Sequence, residues 1–404
     1  MEALFRSALG IESPWYVKDI SFDLELKRLD IDLDFTRGSK FDLAGEMCAV
    51  HDTVRKRWRH LNFFEHECYL HARVPRVKGS DGKVKLILPP WSGKLDGFTL
   101  LFEAMCVEFC KHMPVSQVGR LVGVSDFKLW RMLELYVAQA RYDEDYSDVS
   151  VIGMDETSLA KRHHYITLFV DIVRKRTLFI TPGKGADTVK DFAADLEQHH
   201  AHANQVTNVS CDMSPAFIKG VREQLPNAAI TFDKFHVIKI INDAVDQIRR
   251  EEAKTNPLLK GKRYLFIKNK TNLSKKQQDT LETLQMEHLN LSTMKALHIR
   301  ENFQQIYQAW SMGQFISWLR KWVTWVKQSG LKPMEKAADM GLNHWNGIIQ
   351  WKQSQITNGL LEGLNSVIQA AKRKARGYKQ KHFITIAYLL TGKLNLNKVN
   401  PNCS

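Results

Sequence analysis

A change of periodicity between Val149 and Phe232 constrains the fold more than any other feature. Short runs rich in Val and Ile, each the length of one strand, alternate there with longer stretches of helical spacing. The runs Val149–Glu156, Tyr165–Val173 and Thr177–Ile180 come first, and Arg174-Lys175-Arg176 between the last two is short enough for a hairpin. A helical stretch from Thr188 to about His200 leads into a run that closes at Asp212. Another, Ala216–Leu225, precedes Ala229–Phe232. Strands interleaved with helices in this way predict an α/β layer structure.

Two of the strands end in acids: Asp155 in Val151-Ile152-Gly153-Met154-Asp155-Glu156, and Asp212 in Val209-Ser210-Cys211-Asp212. Ligand sites of open α/β sheets lie at the carboxyl ends of strands. The order β-β-β-α-β-α-β is that of the RNase H-like fold, an analogy of topology only. Its first and fourth strands are parallel neighbours, which sets Asp155 beside Asp212. Two carboxylates so placed do not comfortably ionise together unless cations sit between them. A third acid, Glu362, lies in Asn358-Gly359-Leu360-Leu361-Glu362-Gly363, where Asn358 is suited to cap a helix. Along that helix Glu362, Asn365, Gln369 and Arg373 share one face. A strand-terminal Asp is as often a cap or turn residue, and other glutamates such as Glu301 and Glu335 are available, so pattern alone leaves the roles of all three open.

The charge balance points the same way. Lys and Arg outnumber Asp and Glu by 58 to 44, a net charge of +14, which predicts attraction to a polyanion. With divalent metal at the acids, DNA is the expected substrate. The basic residues cluster: Lys260, Lys262, Arg263, Lys268, Lys270, Lys275 and Lys276 form one run, and Lys372-Arg373-Lys374-Ala375-Arg376 follows Glu362. Either run also reads as a solvated helix face. A hydrophobic fraction of 44% supports packed cores. The longest apolar runs fall short of the ~20 residues of a membrane helix, and Met1–Arg6 lacks the pattern of a secretory signal. A soluble, intracellular protein with reduced cysteines is expected.

Residues 1–94 read as short strands and turns, with Leu29–Phe35 alternating strictly between apolar and acidic positions. Within this segment the pairs Cys48, His51 and Cys68, His71 are weak candidates for zinc; neither is a C-x2-C pair, and a zinc site is not favoured. Residues 95–145 read as three helices. The second starts at Pro114, a turn holds Gly123, and the third, from Asp126, carries Lys128, Trp130 and Arg131. That is the order of a helix-turn-helix unit; three packed helices without a DNA contact is the alternative. A long helical region spans about 234 to 352, with Trp318, Trp322 and Trp325 at i, i+4 and i+7, read as a packed face or, alternatively, as a stacking platform for a DNA base.

Eight stretches together resemble the ISL3 family of insertion-sequence transposases over nearly the whole chain. They are Leu9–Trp15, Val50–Thr53 with Trp58–Leu61, His71–Arg76, Gly153–Thr157, Asp212–Ser214, Phe232–Val237 and Asn358–Asn365. The resemblance implies a small β-rich, zinc-ribbon-like unit at 1–94, a helix-turn-helix at 95–145, and an RNase H-like catalytic domain at 148–404 interrupted by a helical insertion at about 256–354. It implies cut-and-paste transposition by a DDE triad of Asp155, Asp212 and Glu362, which would hold two Mg²⁺ ions, with Mn²⁺ able to substitute. Asp233 and His236, which also end a strand, would brace that site or approach the scissile phosphate; a purely structural role is the equal alternative. Lys128, Arg131, Lys372, Arg373, Lys374 and Arg376 are the expected DNA contacts. Terminal inverted repeats and target DNA would be the partners, bound by a homodimer or larger homo-oligomer in the bacterial cytoplasm, at the nucleoid. Relatives usually carry C-x2-C pairs where this chain has Phe41–Gly45 and Lys78–Gly82, so the ribbon is expected to keep its shape without its metal. A catalytically silent transposase-derived DNA-binding protein and an RNase H-like nuclease or resolvase are the alternatives.

Overall fold

A computed structural model describes residues 2–160, 164–287 and 291–396; Cys403 lies outside them. The chain divides into two compact units, one of residues 1–144 together with the segment from Gln369 onward, the other of Asp145–Ile368.

The first unit opens with helix α1 (Glu2–Ala8) and six strands: β1 (Trp15–Asp23), β2 (Arg28–Phe35), β3 (Lys40–Leu43), β4 (Glu46–Arg59), β5 (Glu67–Lys78) and β6 (Val84–Leu86). They form one sheet in the order β1-β2-β5-β4-β3, with β6 also on β5. The alternation expected at Leu29–Phe35 is present in β2, where Leu29, Ile31 and Leu33 are buried. Strands β4 and β5 are longer than the short pieces the sequence suggested: β4 pairs with β5 along most of its length, and β5 buries Cys68, Leu70, Ala72 and Val74 in alternation against an aromatic core. Trp15, Trp58 and Trp91 meet edge to face at its centre. The acidic face is neutralised locally: Asp34, buried, accepts bonds from Nε and Nη2 of Arg73 at 2.9–3.1 Å.

Helices α2 (Leu100–His112), α3 (Val115–Val122) and α4 (Asp126–Tyr142) follow. Gly123 ends α3 in the left-handed region at φ 69°. Gly119 allows the turn to close, since a Cβ there would lie 2.7 Å from the Val124 carbonyl oxygen. Glu103 is fully buried in α2, accepting from the backbone N–H groups of Lys94 and Leu95 and from the Tyr136 hydroxyl at 2.7–2.8 Å.

The second unit is built on five strands: β7 (Val151–Ala160), β8 (His164–Asp171), β9 (Arg176–Pro182), β10 (Asn208–Cys211) and β11 (Ala229–Phe232), in the order β11-β10-β7-β8-β9. Strands β7, β8 and β9 are an antiparallel meander, whereas β10 runs parallel to β7 and β11 parallel to β10. Helix α5 (Asp187–Gln198) connects β9 to β10 and α6 (Pro215–Gln224) connects β10 to β11. After α7 (Lys234–Glu252) come α8 (Arg263–Ile267), α9 (Lys275–Glu287), α10 (Ser292–Ile306), α11 (Met312–Lys327), α12 (Lys332–Asn343), α13 (Trp345–Ser354) and α14 (Gly359–Lys374). One apolar cluster extends from Ile152 in the sheet to Trp322 and Trp351 in these helices. The basic run of 260–276 is not a single helix face: Gly261, in the left-handed region at φ 72°, precedes α8, and Lys275 and Lys276 already belong to α9. The last turns of α14 belong to the first unit, as does α15 (Gln380–Thr391). No helix of the described residues is long and apolar enough to cross a membrane.

Candidate active site

The parallel register of β7 and β10 sets the geometry. Asn208, Val209 and Ser210 pair with Val151, Ile152 and Gly153. The same register continued two residues further brings Asp212 opposite Asp155, on strands separated by about 4.8 Å. The apolar run predicted to end at Asp155 does end there, but the strand does not. β7 continues through Thr157 and Ser158, paired only with β8. Asp155 therefore projects mid-strand, where β10 has stopped, rather than at a strand terminus.

Both carboxylates are half-buried and held by main-chain donors. Asp155 Oδ1 accepts from the Glu156 N–H at 2.8 Å, and Asp212 Oδ1 from the Ser214 N–H at 3.0 Å, just ahead of α6. Burial pushes the Asp155 carboxyl up to about 6; the His236 imidazole and the Glu156 N–H oppose that rise, and the nearby Asp212 charge adds to it. The two aspartates are close enough to feel each other.

Helix α14 brings the remaining groups. Leu361 seats against Gly153, where a Cβ would come within 2.5 Å of Leu361 Cδ1 and 2.8 Å of Ile172 Cδ1, so the glycine gives these two methyl groups room on β7. One turn on, Asn365 Nδ2 donates to Asp155 Oδ2 at 2.8 Å. The start of the helix is tied to the other two parallel strands. Ser210 Oγ donates to Asn358 Oδ1 at 2.6 Å, and the Asn358 N–H donates to Asp233 Oδ1 at 3.2 Å. Asn358 stands at the expected cap position, and its carbonyl oxygen accepts from the Glu362 N–H at 2.9 Å. Its buried side chain is spent on Ser210 instead of on the helix.

Asp233 is fully buried and caps α7, its Oδ2 accepting from the His236 N–H at 3.4 Å with His236 Nδ1 at 3.3 Å. The hydrogen bond to Asp233 holds His236 above the usual histidine range, and the charges of Asp233, Asp155 and Asp212 act in the same direction.

Glu362 is on the exposed side of α14, because its neighbour Leu361 takes the buried position. It stands one helical turn before Asn365, and so one turn from the group that touches Asp155. Among the described residues no three His, Cys, Asp or Glu side chains are gathered in metal-holding geometry. The structure thus pairs Asp155 with Asp212 and brings the Glu362 helix against them, without folding the Glu362 carboxylate onto the pair. The donor set suits a hard divalent cation: carboxylate oxygens, plus Asn365 Oδ1, a buried carbonyl oxygen with no hydrogen-bond partner. Asn365 has no strong sequence signal beyond its place three residues after Glu362.

The other candidates fall in the first unit. Lys128 and Arg131 are exposed on α4, and Arg373 and Arg376 are exposed near the end of α14. Lys374 donates to the His112 carbonyl oxygen at 2.7 Å, and Lys372 packs over the Phe383 ring. The segment that carries them is fixed by stacking of Trp130 on His382, with ring centroids 3.8 Å apart, and by the Lys381–Glu134 ion pair at 2.7 Å. Cys48 and Cys68 are buried in the apolar core on separate strands, His51 is exposed, and His71 Nε2 is 2.6 Å from Asp30 Oδ1. These four do not converge.

Three family models match in order along the chain. A zinc finger of the transposases of IS204, IS1001, IS1096 and IS1165 matches residues 45–80, a helix-turn-helix domain of transposase family ISL3 matches 87–137, and the ISL3 DDE transposase model matches 152–387. The chain belongs to the ISL3 family of DNA transposases. The transposase for insertion sequence element IS1001 of Bordetella parapertussis is 26% identical over 353 residues, covering 84% of this chain and 85% of that protein. The transposase for IS1557 of Mycobacterium tuberculosis is 23% identical, covering 96% and 95%. A chain of the simian T-cell lymphotropic virus intasome, in complex with PP2A regulatory subunit B56 gamma, is 12% identical and covers 46% of this chain and 69% of its own. Its TM-score of 0.17 is too low to bear on the fold. A DDE domain with a DNA-binding helix-turn-helix makes this a metal-dependent enzyme that cleaves and transfers DNA.

Proposed function

We propose that this transposase binds the terminal inverted repeats of an insertion sequence and moves it by cut-and-paste, with Asp155, Asp212 and Glu362 as the catalytic carboxylates. The observation that carries this reading is the register of β7 and β10, which sets two aspartates side by side, with the helix of Glu362 packed onto the same strand. The strand order and connections support an RNase H-like core within 148–404, with a helical insertion at about 256–354. Residues 1–94 and 95–145 are assigned to the ribbon-like and helix-turn-helix units.

Asp155, Asp212 and Glu362 would hold two Mg²⁺ ions, for which Mn²⁺ could substitute, and the metal supplies Lewis-acid activation of the phosphodiester. The residues around them do the positioning. Asn365 and the Glu156 N–H fix the orientation of the Asp155 carboxylate, and Asp233 with Asn358 holds the first turn of α14 to the ends of β10 and β11. His236 lies beside Asp233, and the charges of Asp233, Asp155 and Asp212 all favour its protonated form, the form that would attract a phosphate. Lys128 and Arg131, with Arg373, Arg376, Lys372 and Lys374, contact the DNA backbone, and two copies of the chain pair the element ends.

The test is a Mg²⁺-dependent assay for both cleavage and strand joining on DNA carrying the element's terminal repeats. Cleavage followed by joining is expected. Binding without cleavage would mark a silent DNA-binding derivative; cleavage of junctions or hybrids without joining would mark a nuclease or resolvase.

A further inference from the structure

Among the described residues, the exposed tryptophans are Trp310, Trp318 and Trp325, at 82%, 36% and 37%, all in one stretch of the helical region. Trp318, Lys321 and Trp325 follow i, i+3, i+7 spacing and so share one face of α11, the two indoles about 10.5 Å apart along the axis. Asn302, Gln305 and Ile306 of α10 face them across an open cavity of about 330 Å³. Trp322 forms its floor. That ring is 5% exposed, its N–H donates to the Ile299 carbonyl oxygen at 2.8 Å, and it packs on Phe303 with centroids 4.7 Å apart. The floor is buried and its polar group is satisfied, whereas the walls are indoles about one-third exposed.

An indole left in water at a cavity mouth, twice over, is not what core packing produces. We propose that this groove receives a single unpaired base of the DNA substrate, an inference that rests on the DNA-transposase reading above. The composition matches that ligand. Indole faces stack on any base without sequence preference. The Asn302 and Gln305 carboxamides offer both donors and acceptors to a base edge, and Lys321 offers an ammonium to the adjoining phosphate. The volume is at the lower end of small-ligand sites, room for one base and not for a duplex. An apolar peptide would gain nothing from the lysine and the two amides, and the +14 charge of the chain favours the anionic ligand.

The experiment uses the full chain and two probes of equal length from the element's terminal repeat, one fully paired and one with a single unpaired 2-aminopurine. Wild-type protein is expected to bind the unpaired probe about tenfold more tightly, the worth of one base–indole stack, and to quench its emission. The double variant Trp318→Ala, Trp325→Ala is expected to lose both the preference and the quench while its affinity for the paired duplex is unchanged. A melting curve on that variant verifies its fold, and the wild-type quench requires no variant at all. Equal affinity for the two probes without quenching by the wild type, or a folded double variant that keeps both effects, overturns the proposal. Failure to bind either probe would overturn the DNA reading itself, a different result from binding both alike.

Discussion

The side-chain amide of Asn365 donates to Asp155 Oδ2 at 2.8 Å, across 210 residues of sequence. That bond joins the first strand of the sheet to the helix that carries Glu362, and it reaches the one carboxylate that burial and a neighbouring aspartate hold near 6. A group that orients a metal-type ligand without itself being an acid is expected to set how well the site takes up its cation.

Asn365→Ala should therefore lower Mg²⁺-dependent cleavage about 10- to 100-fold, the usual effect of removing a partner of a metal ligand. Raising Mg²⁺ or supplying Mn²⁺ should recover part of the loss. A cleavage titration against metal concentration checks this; an unchanged titration would remove Asn365 from the site.

Gly153 leaves room for the Leu361 and Ile172 methyl groups where helix α14 meets β7. Gly153→Ala should make those two side chains shift and destabilise the second unit by about 1 kcal/mol. Urea unfolding followed by tryptophan emission measures it. Cleavage should fall as well where the shift is passed to α14, since Glu362 follows Leu361 in that helix.

Asn358 is buried and bonded to Ser210 and Asp233, so Asn358→Ala strands the Ser210 hydroxyl in the interior. A loss of about 1–3 kcal/mol is expected, with DNA binding intact. Ser210→Ala should cost less in the variant that already lacks Asn358 than in wild type, a coupling that a double-mutant cycle resolves.

In the first unit, His60 Nδ1 is 2.9 Å from Thr99 Oγ1, and burial, with Arg59 adding to it, depresses the imidazole from 6.5 to about 4. The folded value lies below the unfolded one, so the neutral ring contributes fully above pH 6.5. That contribution disappears as pH falls from 6.5 through 4, by about 3 kcal/mol at most. Thermal melts across that window should show the loss in wild type and a much weaker dependence in His60→Gln.

Much of the second unit was legible because strand formation there depends on local composition. Val149–Glu156 and Val209–Asp212 are apolar runs of strand length, and connection order then makes them neighbours. What was not legible is set by contacts distant in sequence. Nothing local distinguishes Asn358 as a helix cap from Asn358 as a partner of Ser210. Asp155 falls mid-strand because β8 continues to pair with polar residues that carry no apolar signal. The spacing of Trp318, Trp322 and Trp325 suits a packed face, and only the position of α10 decides that Trp322 is buried while its neighbours flank a cavity. Likewise, the stacking of His382 on Trp130 places the C-terminal segment in the same unit as α4, which spacing alone does not reveal.

The central claim is that Asp155, Asp212 and Glu362 form one catalytic site. Single-turnover cleavage of terminal-repeat DNA in Mg²⁺ by Asp155→Asn, Asp212→Asn and Glu362→Gln, each measured beside its DNA affinity, tests it most directly. All three should reduce cleavage to background while binding the repeat as wild type does. Wild-type cleavage by any one of them would contradict the account.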